Sequence, residues 1–376
     1  MNMPTNEAAW MVAKNRPLQV KPAPYPEPGP GEIVVRNRAV AVNPVDWMVQ
    51  YTGGLVFGWI KYPFVLGSDL AGEVMAIGEG ISAVKVGDRV LAMAAGAVKQ
   101  RNRASEGAFQ AYTVVLERLT TVIPDTVSYA EAAVVPLGVT TAACGLFQKD
   151  LLALELPVLD PKPRDQWVII WGASTSVGSN AIQLAVAAGY GVIATASPRN
   201  FDHALALGAA QVFDYNKPGV AKDIVAALAG KAVVGGFAIG AGSVLDLLDI
   251  LPHCQGRKFI ANCSAPVSFD LVPEGRGITL GVMIKLLGAA MRASGAVRRK
   301  SRATGITSKF FDASSVVDNE IGPAIYRDYL GPALAAGRFR PSPPPRVVGH
   351  GLAAIQDAFD IQRKGVSAAK IVVELG

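Results

Sequence analysis

Between an apolar run at 167–171, Trp-Val-Ile-Ile-Trp, and a stretch in which Ala181, Leu184, Ala185 and Ala188 recur at helical spacing stands the heptapeptide Gly-Ala-Ser-Thr-Ser-Val-Gly, residues 172–178. Each position has a physical use. Gly172 permits a sharp turn, and the small residues Ala173, Ser174, Thr175 and Ser176 let backbone N–H groups approach a pyrophosphate. Val177 continues that turn into the helix, and Gly178 lets helix and strand pack closely. The string departs from GxGxxG, so its force comes from context, a strand before it and a helix after it. That context also constrains the fold. Downstream, VIATAS, VFDY, GGFAI and RKFIANCS alternate with helical patterns near Phe201–Leu207 and Ala221–Ala229. Strands alternating with helices predict a doubly wound parallel sheet with right-handed crossovers.

Upstream the period changes. EIVVRNRAVAVNP, FVLGSDLAGEVMAIG, GDRVLAMA and FQAYTVV are short β runs cut by Gly and Pro, which predicts a mainly β domain rich in turns. A Pro-rich connector, LPVLDPKPRDQ at 156–166, leads out of it. The tail after 345 carries a strand, an amphipathic helix and a last strand, IVVEL, suited to pairing with the first β domain. A length of 376 residues suits two domains. The expected division is 1–150 with 316–376 for the β domain and 151–315 for the α/β domain inserted into it.

Composition removes several function classes. With 51% hydrophobic and 18% charged residues the chain is globular, and no charge-free apolar run is long enough to predict a membrane span. The N-terminal stretch lacks the basic start and apolar core of a secretory signal, so a cytoplasmic location is the expectation. Cys144, Cys254 and Cys263 form no CxxC pair, which argues against a disulfide framework and against a thiolate zinc cluster. The net charge of +6 is matched by Lys285, Arg292, Arg298, Arg299, Lys300 and Arg302, which stand without an acidic residue between 281 and 303. Such a segment is ordinarily a solvated helix with a loop; an acidic carrier protein is the partner class it leaves open. It lacks interleaved aromatics, so no nucleic-acid partner is expected, and without a predicted span no membrane partner is expected either.

The kind of dinucleotide is read at the end of the second strand of the α/β unit, where an Asp or Glu binds the ribose of NAD. Here VIATASPRNF supplies Ser197, Arg199 and Asn200 and no carboxylate. A hydroxyl and a guanidinium suit a 2'-phosphate, which favours NADP(H). Capping of the next helix by Ser197 and of a turn by Arg199 is compatible with that contact.

NPVD at 43–46, GSDLAG at 67–72, VGDRV at 86–90, GAFQAYTVV at 107–115, PLGVTTAA at 136–143, GASTSVGSNAIQLA and LGAAQVFDY at 207–215 occur in this order. Together they resemble the medium-chain dehydrogenase/reductase superfamily over nearly the whole chain, specifically its zinc-free quinone oxidoreductase and enoyl reductase branch. The closing segment from Gly337 resembles fungal stand-alone enoyl reductases that serve polyketide synthases. The resemblance implies a GroES-like catalytic domain beside a Rossmann domain. It places Asn43, Pro44 and Thr140 near the nicotinamide and its ribose, Tyr215 at the adenosine 2'-phosphate, and Cys263 and Ser264 in the loop after the fifth strand. It also places Phe310, within Lys309 to Phe311, and Lys370 among the cofactor contacts. Asn43 as a turn residue before Pro44, Thr140 as a helix cap and Tyr215 as a core aromatic are the alternatives. Zinc-dependent relatives carry ligands at the positions of Asn43 and Ser68 and near Leu137. None of these is a soft ligand, and His203, His253 and His350 stand isolated in sequence, so no catalytic metal is expected.

Without a metal, the economical use of NADPH is hydride addition to an electron-poor carbon of an enone, enoyl thioester or quinone. Asn43 and Thr140 are candidates to hold the developing oxygen, Tyr51 and Tyr62 to give a proton, and Cys144 is a weak candidate nucleophile. Residues 51–64, with Trp47 and Met48, suggest a small apolar or aromatic carbonyl-conjugated substrate, although core packing explains such aromatics as well. A catalytically silent NADPH-binding protein is the rival from a different class. Related enzymes occur as monomers and homodimers.

Overall fold

The computed structural model describes residues 5–55, 57–265 and 278–376. The described chain divides into two compact units, one holding residues up to Leu137 and from Val316 onward, the other Gly138 to Ala265 with Leu280–Ser315. The far boundary of the second unit lies after Ser315. The near one lies at Leu137 instead of 150, because the apolar run from Pro136 to Phe147 forms one helix whose residues from Gly138 onward pack in the second unit.

The first unit begins with β1 (Asn6–Met11), β2 (Gln19–Ala23), β3 (Glu32–Ala41), β4 (Phe64–Val65), β5 (Asp69–Ile77), β6 (Arg89–Met93), β7 (Tyr112–Leu116) and β8 (Thr120–Val122). The second contributes β9 (Gln166–Trp171), β10 (Gly191–Ala196), β11 (Gln211–Asp214), β12 (Ala232–Ala238), β13 (Gln255–Gly256), β14 (Phe259–Asn262) and β15 (Thr307–Phe310). The tail returns to the first unit with β16 (Pro345–His350) and β17 (Lys370–Glu374).

In the first unit a seven-stranded sheet runs β16-β17-β3-β5-β6-β8 with β7 also on β3, beside a three-stranded sheet β2-β1-β4. The expected pairing of the tail is present, since β17 lies antiparallel to β3 with Val372 opposite Ala41. β3 is central, and Ile33, Val34, Val35, Val40 and Ala41 are fully buried. Such a strand reads as a nearly continuous apolar run because both its faces are covered.

In the second unit the order is β11-β10-β9-β12-β14-β15, all parallel, with β13 on β12. Numbered within the unit with the two-residue β13 left out, this is 3-2-1-4-5-6, the doubly wound order. The helix Ser176–Ala187 buries Ala181, Leu184 and Ala185, the residues whose spacing predicted it. Ile169, Ile193, Ile224, Leu247 and Ile260 lie in one buried cluster between sheet and helices.

Candidate functional site

The register of the parallel sheet brings the chemistry-bearing residues of the second unit to one edge. Thr195 pairs with Trp171, Trp171 with Ala238, Ala238 with Asn262, and Asn262 with Phe310. The residues that leave these strands, Gly172, Ser197, Ile239 and Cys263, therefore stand in one row, with Phe310 closing it. Tyr215 leaves β11, whose Asp214 pairs with Ala196. This row lies at the carboxyl ends of the strands, on both sides of the point between β9 and β12 where the strand order reverses, the place where open α/β sheets bind ligands.

At the centre of the row the turn has the shape its sequence predicts. Gly172 adopts φ +98°, a value that a side chain rarely tolerates. A Cβ on Gly178 would lie 2.2 Å from the Gly172 carbonyl oxygen, so only glycine lets the helix approach the strand this closely. Thr175 caps the helix: its Oγ1 accepts from the Gly178 N–H at 2.9 Å and donates to the Gly172 carbonyl at 2.8 Å. A helix start leaves its first N–H groups without internal acceptors, and with Gly178 capped, those of Ser176 and Val177 remain for an anion. The Ser176 hydroxyl is buried and has no hydrogen-bond partner among the described residues. The turn, its free donors and this orphaned hydroxyl fit a pyrophosphate. Below it, Ser179 Oγ donates to the Ala173 carbonyl at 3.1 Å and lies 2.9 Å from His203 Nε2, whose pKa burial lowers, so a neutral imidazole ties the next helix to the turn.

After β10, Asn200 is buried and its amide donates to Ser197 Oγ at 3.2 Å. Arg199 is exposed, with no ion pair or hydrogen bond among the described residues. Tyr215 is 44% exposed, which sets aside the core-aromatic alternative. In the loop after β14, Ser264 Oγ accepts from the Gly240 N–H at 2.6 Å, and Ser264 N–H donates to Asn262 Oδ1 at 3.0 Å. Cys263 and Cys144 are both held as thiols, each pushed up to about 12 by burial, which makes a Cys144 nucleophile untenable. Thr140 lies in the second turn of its helix, wholly buried, so it is no helix-start cap. Phe310 is 56% exposed at the end of β15, and the neighbouring Lys309 is paired with Asp150 at 2.5 Å.

The first unit assembles a different cluster. The register of β17 on β3 carries Lys370 to the level of Asn43, just past the end of β3, while the pairing of β3 with β5 sets Asp69 opposite Ala41. Lys370 Nζ lies 2.9 Å from Asp69 Oδ2 and donates to Asn43 Oδ1 at 2.5 Å, and Asn43 Nδ2 donates to Asp69 Oδ2 at 2.8 Å. The other Asp69 oxygen accepts the Leu137 N–H at 2.5 Å. Asp69 is entirely buried and Lys370 nearly so. Asn43 thus has its carbonyl and one amide hydrogen engaged, and its expected part in holding a substrate oxygen gives way to a scaffold part in this triad. The expectation for Lys370 changes likewise, because two of the three ammonium hydrogens already face Asp69 and Asn43 and the charge is paired with Asp69. The sequence held one signal of this: a lysine opening a buried strand needs a partner.

Pro44 opens the helix Pro44–Thr52, whose Asp46 accepts the Asn43 backbone N–H at 2.8 Å. Asp46 is buried, and desolvation, reinforced by the charge of Asp69, raises its pKa from 3.8 to about 7. Between those values the native state keeps a proton that the unfolded chain has lost, so stability falls as pH rises through that window. Asp46→Asn keeps the cap acceptor and removes the charge. Its melting temperature is expected to exceed the wild-type value by about 10 °C at pH 8, with the gap closing towards pH 4. Thermal scans across this range check it; a gap independent of pH would mean that Asp46 is ionised in the fold.

Of the aromatics near this helix, Trp47 is core, with Nε1 donating to Gln362 Oε1 at 2.5 Å. Tyr51 is sandwiched by an edge contact with Trp47 and by the Arg363 guanidinium, 4.5 Å from its ring centre. Tyr62 is 38% exposed, and burial of its phenol raises the pKa, which keeps it protonated and able to donate. Phe57 and Trp59, both half-buried, stack with ring centres 4.9 Å apart.

Comparison with known proteins agrees with both units. The alcohol dehydrogenase GroES-like domain matches residues 29–125. The dehydrogenase pigH of Monascus ruber is 51% identical over 375 residues, covering 99% of this chain and 100% of the relative. The trans-enoyl reductase himH of Aspergillus japonicus is 38% identical, covering 98% of this chain and 97% of the relative. The CurK enoyl reductase structure superposes with a TM-score of 0.71 over 99% of both chains at 20% identity, which speaks to the fold alone. A fold of this type implies a nicotinamide nucleotide, which the turn at 172–178 fits. The chain belongs to the medium-chain dehydrogenase/reductase superfamily of oxidoreductases, among fungal dehydrogenases and trans-enoyl reductases.

Proposed function

We propose that the protein is an NADP(H)-dependent, metal-independent reductase acting on a C=C bond conjugated to a carbonyl. The observation that carries the cofactor choice is Arg199, an exposed guanidinium with no partner among the described residues, at the end of the second strand beside Ser197 and Asn200 and without a carboxylate of its own segment. A 2'-phosphate there gains charge-assisted hydrogen bonds, whereas a bare ribose hydroxyl gains little. The N–H groups of Ser176 and Val177 hold the pyrophosphate, and Ser264 and Phe310 border the same row. Metal independence is supported by the side chains at the zinc-ligand positions, Asn43 and Ser68, and by the lack of any group of three His, Cys, Asp or Glu fit for a metal among the described residues.

The bound nucleotide supplies the hydride. Tyr62, whose phenol is protonated and exposed, is the candidate side chain to give a proton, and solvent is the other source. Hydride transfer to an electron-poor β-carbon needs no Lewis acid when the adjoining carbonyl already withdraws charge. The himH trans-enoyl reductase supports an enoyl acceptor ahead of a quinone.

Fluorescence titration with NADPH and NADH tests the cofactor. Arg199→Ala is expected to weaken NADPH binding by about 10- to 100-fold while changing NADH binding by less than about twofold. Equal affinity of the wild type for the two nucleotides would remove the 2'-phosphate site. Turnover with an enone, an enoyl thioester and a quinone then tests the acceptor; tight NADPH binding without oxidation by any of them would instead indicate a silent binding protein.

A further inference from the structure

The basic segment that the cofactor site leaves unused is one continuous helix, Leu280–Thr304. Its inner face is anchored in the second unit: Leu286 is buried, Val297 packs against the core cluster, and Lys300 Nζ pairs with Asp249 at 2.5 Å and donates to the Leu245 carbonyl. Among the described residues nothing covers the outer face. Leu280, Ile284, Leu287 and Met291 are 78, 62, 54 and 70% exposed. Their spacing of four, three and four residues aligns them in one stripe, about 16 Å long at 1.5 Å per residue. Arg298 and Arg302 continue the line of the stripe, and Lys285, Arg292 and Arg299 follow one flank. All five are exposed without an ion pair among the described residues, and the helix carries no acidic side chain. Gly295 and Ala296 leave a shallow trough between Arg292, Arg298, Arg299 and Arg302.

We propose that this helix docks the protein on an anionic membrane surface, lying in the interface with its apolar stripe inserted and its cations among the lipid phosphates. The two features occur together on one uncovered face, as interfacial helices require, and the charge is of one sign throughout. A second copy pairing along the stripe would bring the flanking cations of both helices together. The cations at the end of the stripe and on its flank favour lying on the bilayer over crossing it, in contrast to the sequence expectation of no membrane contact.

Co-sedimentation of the full chain with vesicles of phosphatidylcholine, alone or mixed with phosphatidylserine, tests the proposal. Binding is expected to the mixed vesicles only and to fall with salt. Leu287→Asp combined with Met291→Asp should abolish it. Arg298→Gln combined with Arg302→Gln should reduce partitioning roughly 25-fold, about fivefold for each cation removed. NADPH titration of every variant should match the wild type, which separates this result from failure of the fold or of the cofactor assignment. Absence of binding to the mixed vesicles, or equal binding by the variants, overturns the proposal. So does a dimer in sedimentation velocity that Leu287→Asp with Met291→Asp dissociates, or binding to an acidic carrier domain in place of vesicles.

Discussion

Replacing Lys370 by methionine is expected to lower the unfolding free energy by about 3–5 kcal/mol, a fall in melting temperature of about 10 °C or more. Methionine keeps most of the side-chain volume, so little of the loss comes from a cavity. What it removes is the cation facing Asp69, a carboxylate with no exposure to solvent. The hydrogen bonds to Asp69 from Asn43 and from the Leu137 N–H remain, but they are dipoles and do not neutralise a buried charge. Lys370→Met combined with Asp69→Leu removes both charges and should recover much of the stability, because an isolated buried ion costs more than the pair contributes. Differential scanning calorimetry of the single and double variants decides the matter. A single variant as stable as wild type would show that Asp69 is solvated or protonated in the fold. The same experiment bears on function, since a Lys370 that contacted only cofactor would change nucleotide affinity and leave the melting temperature unmoved.

Gly178→Ala is expected to weaken nucleotide binding on the order of 10²-fold. The added Cβ would stand 2.2 Å from the Gly172 carbonyl oxygen and 2.9 Å from Ala173 Cα, both backbone atoms that can give way only by moving the turn. Moving the turn re-aims the N–H groups of Ser176 and Val177 and disturbs the Thr175 cap, so the anion site is lost as a whole. Gly281→Ala is the control: its Cβ meets nothing within 4 Å, and nucleotide affinity should be unchanged. Isothermal titration with NADPH reads both variants. Normal affinity in Gly178→Ala would put the pyrophosphate elsewhere than at 172–178.

Much of the second unit was legible from the chain. The spacing of Ala181, Leu184 and Ala185 predicted the helix that buries them, and the run at 167–171 predicted the central strand, because both patterns arise from near neighbours along the chain. The glycines of the turn were legible for the same reason, since a positive φ at Gly172 and a close approach at Gly178 are local requirements. The near domain boundary was misplaced. The connector at 156–166 is locally conspicuous, whereas where the helix Pro136–Phe147 packs is not written in its own pattern. For the aromatics both a substrate-lining and a core reading stood open; Trp47 is core, and its neighbours do not reveal this, because Gln362, its hydrogen-bond partner, lies far along the chain.

By itself the sequence determined the order of strands and helices, the phosphate-binding turn, the absence of a carboxylate where NAD would need one, and the excess of positive charge between 281 and 303. These are properties of residues and of their neighbours within a few positions. Only the tertiary structure decided that Lys370, Asn43 and Asp69 share one buried site, through the register of β17 on β3 and of β3 on β5. It alone decided which face of Leu280–Thr304 is anchored and which is left uncovered among the described residues. Register and burial depend on contacts between segments remote in the chain, and a local pattern states that a partner is needed without stating which one.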